Sequence, residues 1–406
     1  MNCKVSIIIP MYNVEKYLAD CLQSVINQTL QDIEIICIDD ASVDETFSIA
    51  TSLAAKDNRI RIFLNEYNMG LAYTRNKGLH IAKGKYVYFL DSDDMITENA
   101  LEELWNEAEK NDLDVVFFDG QVIYENESLR NKFAGYSMQH RYAYEAVMKG
   151  INAFEIMQKN GDWAVNVPRE FWKKNFLLDN KIEFENGIIH EDELFSTLAV
   201  LQVNRCRVVK QRYFIRRLRE NSTMTSEKSP SNMNGYFKCL CKIIEFLNFH
   251  TVEKQKNIVI DEYLGKMKKI VIDFQLNHCD WEINSQTPME YAVKKMLELE
   301  MYQMFSRENF QKIRMAEKIL IYGAGKEASR IFGELIKHKI NVSGFVVTDG
   351  KNNVKQLWGL EVKECSEWTD IRNAVVIIAV KNREQMVKIK EMLGEYGVDK
   401  VVLPRG

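Results

Sequence analysis

The sequence predicts an α/β protein whose main sheet is mixed but mainly parallel. Short, continuously apolar segments alternate with segments of helical periodicity through the first 120 residues, and this texture returns near the C-terminal end. Strands that are apolar throughout are typical of parallel sheets covered by helices on both faces. The intervening region has an almost wholly helical pattern. We therefore predict three parts, which comprise residues 1–228, 229–312 and 313–406.

The first part alternates five strands with four helices. The predicted strands are KVSIIIP (4–10), IEIICIDD (33–40), IRIFLN (60–65), YVYFLD (86–91) and LDVVFFDG (113–120). The predicted helices cover residues 14–28, 44–56, 70–82 and 98–110. In the first helix, apolar residues recur at helical spacing from Tyr17 to Ile26. Residues 121–225 are less regular and carry a dense cluster of polar side chains.

The last part begins near Lys318 and reads as strand, Gly-rich turn, helix and strand. The segment IYGAGKEAS has Gly323 and Gly325 at the first two positions of a dinucleotide-binding turn and Ala328 at the third. Asp349 lies near the position expected for a ribose-binding acid. This pattern resembles small Rossmann-like domains appended to bacterial surface-polysaccharide enzymes. Nucleotide binding and a structural or oligomerising role are both open, and a homo-oligomer is one expectation.

Composition excludes several classes of protein. The chain has 54 basic and 58 acidic residues, and a net charge of −4 gives no electrostatic basis for nucleic acid as a partner. The 8 cysteines are scattered without a CxxC pair, which indicates reduced thiols rather than zinc ligands or disulfides. No signal peptide or membrane-spanning segment is apparent. We expect a cytoplasmic protein, with contact at most with the inner face of the cell membrane.

Three aspartates cluster at the end of the predicted strand at residues 86–91. In DSDD, Asp91, Asp93 and Asp94 are separated only by Ser92. A helix follows, so one of these acids could be a helix cap. Three carboxylates within four residues repel one another and favour a hard divalent cation, Mg²⁺ or Mn²⁺, which binds oxygen ligands and bridges to phosphate. The sequence therefore predicts a metal site at this strand end.

Several motifs in order resemble the nucleotide-sugar-dependent glycosyltransferases of family 2, which have the GT-A fold. The resemblance runs from about Val5 to about Thr225 and rests on VSIIIPMYN, DDASVDET, NMGLAYTRNKG and DSDD. It implies an α/β nucleotide-sugar-binding domain and a metal-dependent, inverting transfer of a hexosyl or N-acetylhexosaminyl group. The donor is expected to be a UDP-sugar. The expected acceptor is a hydroxyl of a glycan, a lipid-linked glycan or a glycoprotein in bacterial surface-glycan assembly.

The resemblance also assigns roles on the donor side. Pro10, Tyr12, Asn13 and Glu15 are expected to lie against the nucleoside, and Asp40 to accept the uracil imide hydrogen. Ala41 stands where the family more often has glycine, and Asp44 is expected to cap the next helix.

Further donor-side roles fall on the helix after Gly70 and on DSDD. Arg75 is the candidate to meet phosphate or to pair with the aspartates, although it could be an ordinary surface arginine. Asp93 is the expected metal ligand, with Asp91 and Ser92 at the nucleotide sugar. Asp94 is expected to be a helix cap or an outer contact of the metal site.

Two further segments complete the expected site. FENGIIHEDELF resembles the motif whose aspartate deprotonates the acceptor hydroxyl, which makes Asp192 the candidate base, with Glu191 beside it. KQRYFIRRLRENSTM resembles a basic loop that closes over the diphosphate, although a solvated strand face is the alternative. Its candidates are Arg216, Arg217 and, preferred, Arg219, with Ser222 and Thr223.

Acceptor contacts are not implied, because DWAVNVPREFWKK departs from the family pattern at Val167 and Pro168. Trp163 and Trp172 could stack on a sugar or belong to the core. Two alternative functions are a non-catalytic sugar-nucleotide-binding scaffold and a nucleotide-dependent oxidoreductase that uses the C-terminal turn.

Overall fold

The computed structural model divides the chain into two compact units, Met1–Val271 and Ile272–Gly406. It describes residues 3–220, 229–250, 257–277, 283–301, 304–338, 340–348, 355–380 and 382–404. The division of the chain into three parts stays a prediction.

The first unit contains a nine-stranded sheet. Its strands are β1 (Val5–Met11), β2 (Ile33–Asp39), β3 (Ile60–Leu64), β4 (Tyr86–Phe89), β5 (Met95–Ile96), β6 (Val115–Tyr124), β7 (Tyr144–Met148), β8 (Glu170–Lys173) and β9 (Cys206–Leu218). The strand order is β3-β2-β1-β4-β8-β6-β9-β5, and β7 also pairs with β9. The first four strands in this order run parallel, and the β4–β8 and β8–β6 pairings are antiparallel.

The helices of the first unit follow the strands in the predicted alternation. They are α1 (Leu18–Ile26), α2 (Thr46–Ala54), α3 (Leu71–Ile81), α4 (Ala100–Asn111), α5 (Glu127–Lys132), α6 (Gly150–Asn160), α7 (Lys174–Asp179), α8 (Glu191–Gln202), α9 (Pro230–Phe249) and α10 (Asn257–Asn277), whose last residues belong to the second unit. The predicted α/β class with a mainly parallel central sheet is confirmed.

The central strands are buried on both faces, which explains their continuous apolar sequence. All 7 residues of β1 and all 7 of β2 are buried, as is typical of parallel strands with helices on both faces. Helix α3 packs closely on β1, because a Cβ at Gly78 would lie 2.3 Å from the Ile8 side chain. This contact fixes α3 against the sheet and directs its buried face, which includes Arg75, into the unit.

Two boundaries near the expected site differ from the sequence prediction. Strand β4 ends at Phe89 rather than at residue 91, since a turn follows in which Asp94 N–H donates to the Asp91 carbonyl at 3.0 Å. The basic segment expected to form a loop continues β9 as far as Leu218. Of the three candidate arginines, Arg216 and Arg217 therefore lie within β9, and Arg219 directly follows it.

The second unit contains helices α11 (Pro288–Met301) and α12 (Arg307–Arg314) and a six-stranded sheet with two further helices. Its elements are β10 (Ile319–Tyr322), α13 (Lys326–Lys337), β11 (Gly344–Val347), β12 (Gln356–Leu357), β13 (Leu360–Glu364), β14 (Val375–Ile378), α14 (Arg383–Glu395) and β15 (Val401–Val402). The sheet order is β12-β13-β11-β10-β14-β15, with only the β12–β13 pair antiparallel.

The predicted succession of strand, Gly-rich turn, helix and strand is present in this unit. Gly323 follows β10 with φ +116°, a backbone conformation that favours glycine. Ala328 is fully buried in α13, and Asp349 lies outside the described residues. A Rossmann-like, nucleotide-binding role for this unit stays a prediction.

Within the described residues, no helix combines the length and the apolar character needed to span a membrane.

Candidate active site

The carboxyl ends of β1, β2 and β4 meet at one edge of the sheet, where most of the predicted donor-side residues lie. The register pairs Met11 with Asp39, and Asp40 N–H donates to the Met11 carbonyl at 2.8 Å. Strand β4 lies on the other side of β1, and Asp91 follows it by two residues. Parallel sheets place their ligand sites at this edge.

The first loop at this edge contains the residues expected at the nucleoside. Pro10 is buried within β1, whereas the Tyr12 side chain is 46% exposed. Asn13 and Glu15 tie this loop to the one after β2: Val43 N–H donates to Asn13 Oδ1 at 2.9 Å and Glu45 N–H to Glu15 Oε2 at 2.9 Å. These hydrogen bonds join the loop after β1 and the loop after β2 into one wall of the site, beside the exposed Tyr12 ring.

Ala41 adopts φ 59° in this wall, which explains why glycine is more usual at the position. Asp44 accepts the N–H of Thr46 at 3.0 Å, at the start of α2. Its carboxylate therefore bonds the first residue of the helix, while Glu45 occupies the N-cap position.

Asp40 is buried and its carboxylate already accepts three hydrogen bonds. Its donors are Asn65 Nδ2 at 2.7 Å, Met69 N–H at 2.8 Å and Gly70 N–H at 2.8 Å. Asp40 therefore anchors the loop that leads into α3, and Gly70, with φ +87°, supplies the backbone conformation. A direct contact between Asp40 and a uracil ring stays a prediction.

The three aspartates of DSDD each meet an arginine of this chain. Asp91 Oδ1 accepts from Arg75 Nη2 at 2.7 Å, and Asp93 Oδ2 accepts from Arg219 Nε at 2.7 Å. Asp94 Oδ1 accepts the backbone N–H of Arg217 at 2.7 Å. Ser92, between them, is 6% exposed. The protein itself thus supplies positive charge at the strand end.

Asp94 does not cap a helix, contrary to one of the expectations. Helix α4 begins only at Ala100, well beyond Asp94, whose carboxylate is bonded to β9 instead. Burial, reinforced by the nearby charges of Asp93 and Asp91, raises the pKa of Asp94 well above its usual value. Its role here is to join the DSDD turn to the end of β9.

Arg75 is not a surface residue. It is 3% exposed and donates to two carboxylates, Asp91 at 2.7 Å and Glu191 at 3.0 Å. Burial opposes the charge on the guanidinium, but these two carboxylates outweigh it and raise the pKa of Arg75. Arg75 therefore connects the strand end that carries DSDD to the first residue of α8.

Asp192 lies next to this bridge, in the first turn of α8. Its carboxylate accepts the N–H of Glu193 at 2.9 Å, and its side chain is only partly buried. Burial raises the pKa of Glu191 to about 7 despite the opposing charge of Arg75. Burial likewise raises the pKa of Glu193 to about 7. Of these three consecutive acids, Glu191 is buried, whereas Asp192 and Glu193 are partly exposed.

Two arginines at and just after the end of β9 lie over an aromatic ring. The guanidinium carbons of Arg217 and Arg219 lie 5.3 Å and 5.4 Å from the centre of the Tyr17 ring. The Tyr17 hydroxyl donates to Glu125 Oε1 at 2.7 Å. Ser222 and Thr223, which follow, lie outside the described residues. Tyr17 was not predicted for the site, because it reads as one more apolar position of the first helix.

The two tryptophans left open by the sequence are packed on aromatic neighbours. Trp172 is fully buried and stacks on Phe176, so it belongs to the core. Trp163 contacts the rings of Phe117 and Phe154 edge-on.

Among the described residues, no three His, Cys, Asp or Glu side chains form a ready metal-binding cluster. The chain matches the family "Glycosyl transferase family 2" over residues 6–164 and the family "C2185-like, N-terminal" over residues 315–402.

Among relatives, the chain is 32% identical to the glycosyltransferase GlyG of Streptococcus pneumoniae serotype 4 (strain ATCC BAA-334 / TIGR4), over 56% of this chain and 75% of GlyG. It is 28% identical to the poly(ribitol-phosphate) beta-glucosyltransferase of Bacillus spizizenii (strain ATCC 23059 / NRRL B-14472 / W23), over 63% of this chain and 39% of that enzyme.

Among solved structures, the fold is similar to S. aureus TarS 1-349 in complex with UDP-GlcNAc. The TM-score is 0.53 at 23% identity, and the match covers 74% of this chain and 81% of TarS 1-349. This likeness concerns the fold alone. The family match and the similarity to GlyG over most of the length of GlyG establish the family, and the likeness to TarS establishes the fold. The chain therefore belongs to glycosyltransferase family 2 and is a glycosyltransferase of the GT-A fold.

Proposed function

We propose that this enzyme transfers a hexose or N-acetylhexosamine from a UDP-sugar to a hydroxyl group of a bacterial surface glycan, with inversion at the anomeric carbon. The observation that carries the proposal is the Arg75 bridge, because it joins Asp91 at the donor edge to Glu191, the neighbour of the candidate base Asp192. One buried guanidinium thus connects the donor-binding carboxylates to the element that carries the base.

The relatives support the substrate classes in this proposal. One is named for glucosylation of poly(ribitol phosphate), and a protein of the same fold binds UDP-GlcNAc. Because the chain spans only 39% of the first of these proteins, the acceptor is proposed by class: a glycan, free, lipid-linked or protein-linked. We further propose that the enzyme acts at the cytoplasmic face of the membrane, where sugar nucleotides are available.

The donor edge has the chemistry to hold Mn²⁺ or Mg²⁺. Asp91 and Asp93 each use one carboxylate oxygen for an arginine, and their side chains are 31% and 20% exposed. Oxygen ligands of this kind are those that hard divalent cations prefer. Bound there, the cation would supply positive charge that stabilises the diphosphate as a leaving group. The residues that would hold it are Asp93 and, with Ser92 beside it, Asp91.

The protein groups divide the remaining work. Asp192 accepts the proton of the acceptor hydroxyl. At the same time the oxygen of that hydroxyl forms a bond to the anomeric carbon of the donor sugar, and the bond from this carbon to the diphosphate oxygen breaks. Arg219 leaves Asp93 to meet the departing diphosphate, and its guanidinium is suited to phosphate oxygens. Attack opposite the leaving group inverts the anomeric configuration. Pro10, Tyr12, Asn13, Glu15 and Asp40 shape the nucleoside side.

Replacement of the base tests the proposal. In Asp192→Asn, release of UDP from UDP-glucose, UDP-galactose or UDP-N-acetylglucosamine should fall by about 10²–10⁴-fold, because a carboxamide cannot take the proton. The affinity for UDP should stay within about twofold, since the donor edge is unchanged. Asp179→Asn, which alters an exposed carboxylate at the end of α7, is the matched control. Full activity of Asp192→Asn would show that the base is another residue.

A further inference from the structure

The turn that precedes Asp192 is in close contact with a helix that lies beyond the region of family resemblance. Gly235 of α9 lies against the backbone of Ile189, and a Cβ at residue 235 would be 1.9 Å from the Ile189 carbonyl oxygen. No side chain fits at that distance, so only glycine permits this approach of the two backbones. The contact is made two residues before α8 begins.

The next residue of this turn, His190, has its conformation held by the same helix. His190 adopts φ 72°, a left-handed conformation that is uncommon for residues other than glycine. Its ring stacks on Tyr236 with 3.9 Å between ring centres, and its carbonyl accepts from Cys239 Sγ at 3.3 Å. Gly235 and Cys239 are four residues apart and therefore share one face of α9. That face determines where α8 starts.

Helix α10 contacts the other side of the first turn of α8. The Tyr263 hydroxyl donates to Glu193 and shares a 2.8 Å hydrogen bond with Thr197 Oγ1. Tyr263 is 5% exposed and Thr197 1% exposed, so water cannot replace these bonds. Residues 190, 193 and 197 are thus held from the helical region, while Glu191 is held by Arg75.

We propose that α9 and α10 position the general base, and that Gly235, Tyr236 and Tyr263 are positioning residues whose contacts aim the Asp192 carboxylate at the acceptor hydroxyl. The partly exposed Asp192 carboxylate bonds within its own turn, whereas Glu191 is bound to Arg75 and Glu193 to Tyr263. This inference rests on the proposed role of Asp192. It assigns α9 and α10, which the family match over residues 6–164 does not reach, the role of holding the base in place for the reaction.

The electrostatics of Glu193 support this arrangement. Burial raises the pKa of Glu193 to about 7, the hydrogen bond from Tyr263 opposes the rise, and the charge of Asp192 adds to it. Tyr236 and Cys239 face Glu193 from α9 and interact with its charge. Loss of the Tyr263 hydroxyl should therefore raise the pKa of Glu193 further and change the charge beside Asp192 near neutral pH.

Two glycine substitutions in neighbouring helices form a matched pair. Gly235→Ala introduces a methyl group into the contact with Ile189, whereas Gly265→Ala in α10 introduces one into open space. Both changes raise helix propensity. For Gly235→Ala, kcat for UDP release from the UDP-sugar that the wild type uses best should fall at least about tenfold, because displacement of a catalytic group costs rate. UDP affinity should be unchanged, and Gly265→Ala should match the wild type in both respects.

Tyr263→Phe tests the inference without threatening the fold, since the ring and its packing remain. Its kcat should fall, and its KM for the UDP-sugar should not change. The midpoint of the change in kcat with pH near neutrality should shift to higher pH. A purely structural role of Tyr263 would lower stability without this displacement of the pH profile. Tyr142→Phe, at a side chain that is 54% exposed, serves as the control.

The results separate this inference from the proposed function. If Asp192→Asn abolishes UDP release while Gly235→Ala and Tyr263→Phe keep the wild-type kcat and pH profile, the positioning role is wrong and the base assignment stands. If Asp192→Asn is fully active, the proposed base itself is wrong and the inference falls with it. If Gly235→Ala does not fold, the pH profile of Tyr263→Phe alone decides the question.

Discussion

Arg219 pairs with Asp93 through a 2.7 Å contact between Nε and Oδ2, so the proposed metal ligand already has a cationic partner within the chain. The two side chains are 24% and 20% exposed, and the pair lies at the end of β9 beside DSDD. A divalent cation and the Arg219 guanidinium therefore compete for the same carboxylate. Binding of a sugar nucleotide with its metal should release Arg219 from Asp93 toward the diphosphate.

Arg219→Ala should have opposite effects on metal and nucleotide. Mn²⁺ alone should bind several-fold more tightly, because Asp93 loses a competing cation, whereas UDP in the presence of Mn²⁺ should bind about tenfold more weakly for want of a charged phosphate partner. Isothermal titration calorimetry measures both affinities. Arg130→Ala, which removes an arginine that is 62% exposed, is the control. Weaker binding of Mn²⁺ alone by Arg219→Ala would contradict the competition.

Arg75→Met should be severely destabilising. Arg75 is 4% exposed at its side chain and compensates the charges of Asp91 and Glu191, and removal of one partner from a buried ion pair costs about 3–5 kcal/mol. Urea unfolding followed by circular dichroism measures the free energy of unfolding. Arg330→Met, at an arginine that is 51% exposed and pairs with Glu327, should change it by less than about 0.5 kcal/mol. Equal effects of the two substitutions would show that the Arg75 bridge contributes little to stability.

Asp93→Asn should remove the metal-dependent part of nucleotide binding. In a thermal-shift panel of UDP, GDP, CMP and NAD, with and without Mn²⁺, the wild type should be stabilised most by UDP with Mn²⁺, because a ligand that binds the native state raises its melting temperature. Asp93→Asn should lose the increment due to Mn²⁺, and Asp20→Asn, at a side chain that is 60% exposed, should retain it. Stabilisation of the wild type by NAD alone would favour an oxidoreductase.

Glu170 should make stability depend on pH. It is fully buried in the first unit and accepts from Trp172 Nε1 and Ser196 Oγ, and burial raises its pKa from 4.5 to about 7. Because the folded pKa is the higher one, the unfolded chain loses its proton first. The contribution of Glu170 is therefore fully present below pH 4.5 and is lost as the pH rises through about 7.

Glu170→Gln removes this titration while a carboxamide oxygen can still accept a hydrogen bond. Relative to the wild type, the variant should gain up to about 3 kcal/mol in free energy of unfolding as the pH rises from about 5 to about 8. Urea unfolding at a series of pH values measures the difference. Glu298→Gln, at a partly exposed carboxylate that pairs with Lys295, should show no such trend. A constant difference between Glu170→Gln and wild type would mean that Glu170 titrates normally when folded.

The parts of the site that the sequence made visible are those carried by short motifs or by the ends of apolar strands. DSDD lies next to a buried strand, and parallel strands bring their carboxyl ends to one edge, so the convergence of Asp40 and Asp91 could be predicted from local pattern. The order of the family motifs likewise marked Asp192 as a candidate base. The two boundary differences have separate reasons. Strand β4 ends early because of a local turn between Asp91 and Asp94, whereas the end of β9 is held by a hydrogen bond between the distant residues Arg217 and Asp94.

The sequence by itself determined the fold class, the family and the candidate residues, because apolar periodicity and short motifs are properties of neighbouring residues. Tertiary structure alone decided which charges meet. Arg75 and Glu191 are 116 residues apart, and Arg219 and Asp93 are 126 apart, separations at which no local periodicity couples two side chains. The same holds for α9 and α10, whose amphipathic pattern indicated helices but not that Gly235, Tyr236 and Tyr263 would lie against the turn before Asp192. Only the packing of the chain as a whole brings these groups together, and burial then gives their charges and hydrogen bonds their strength.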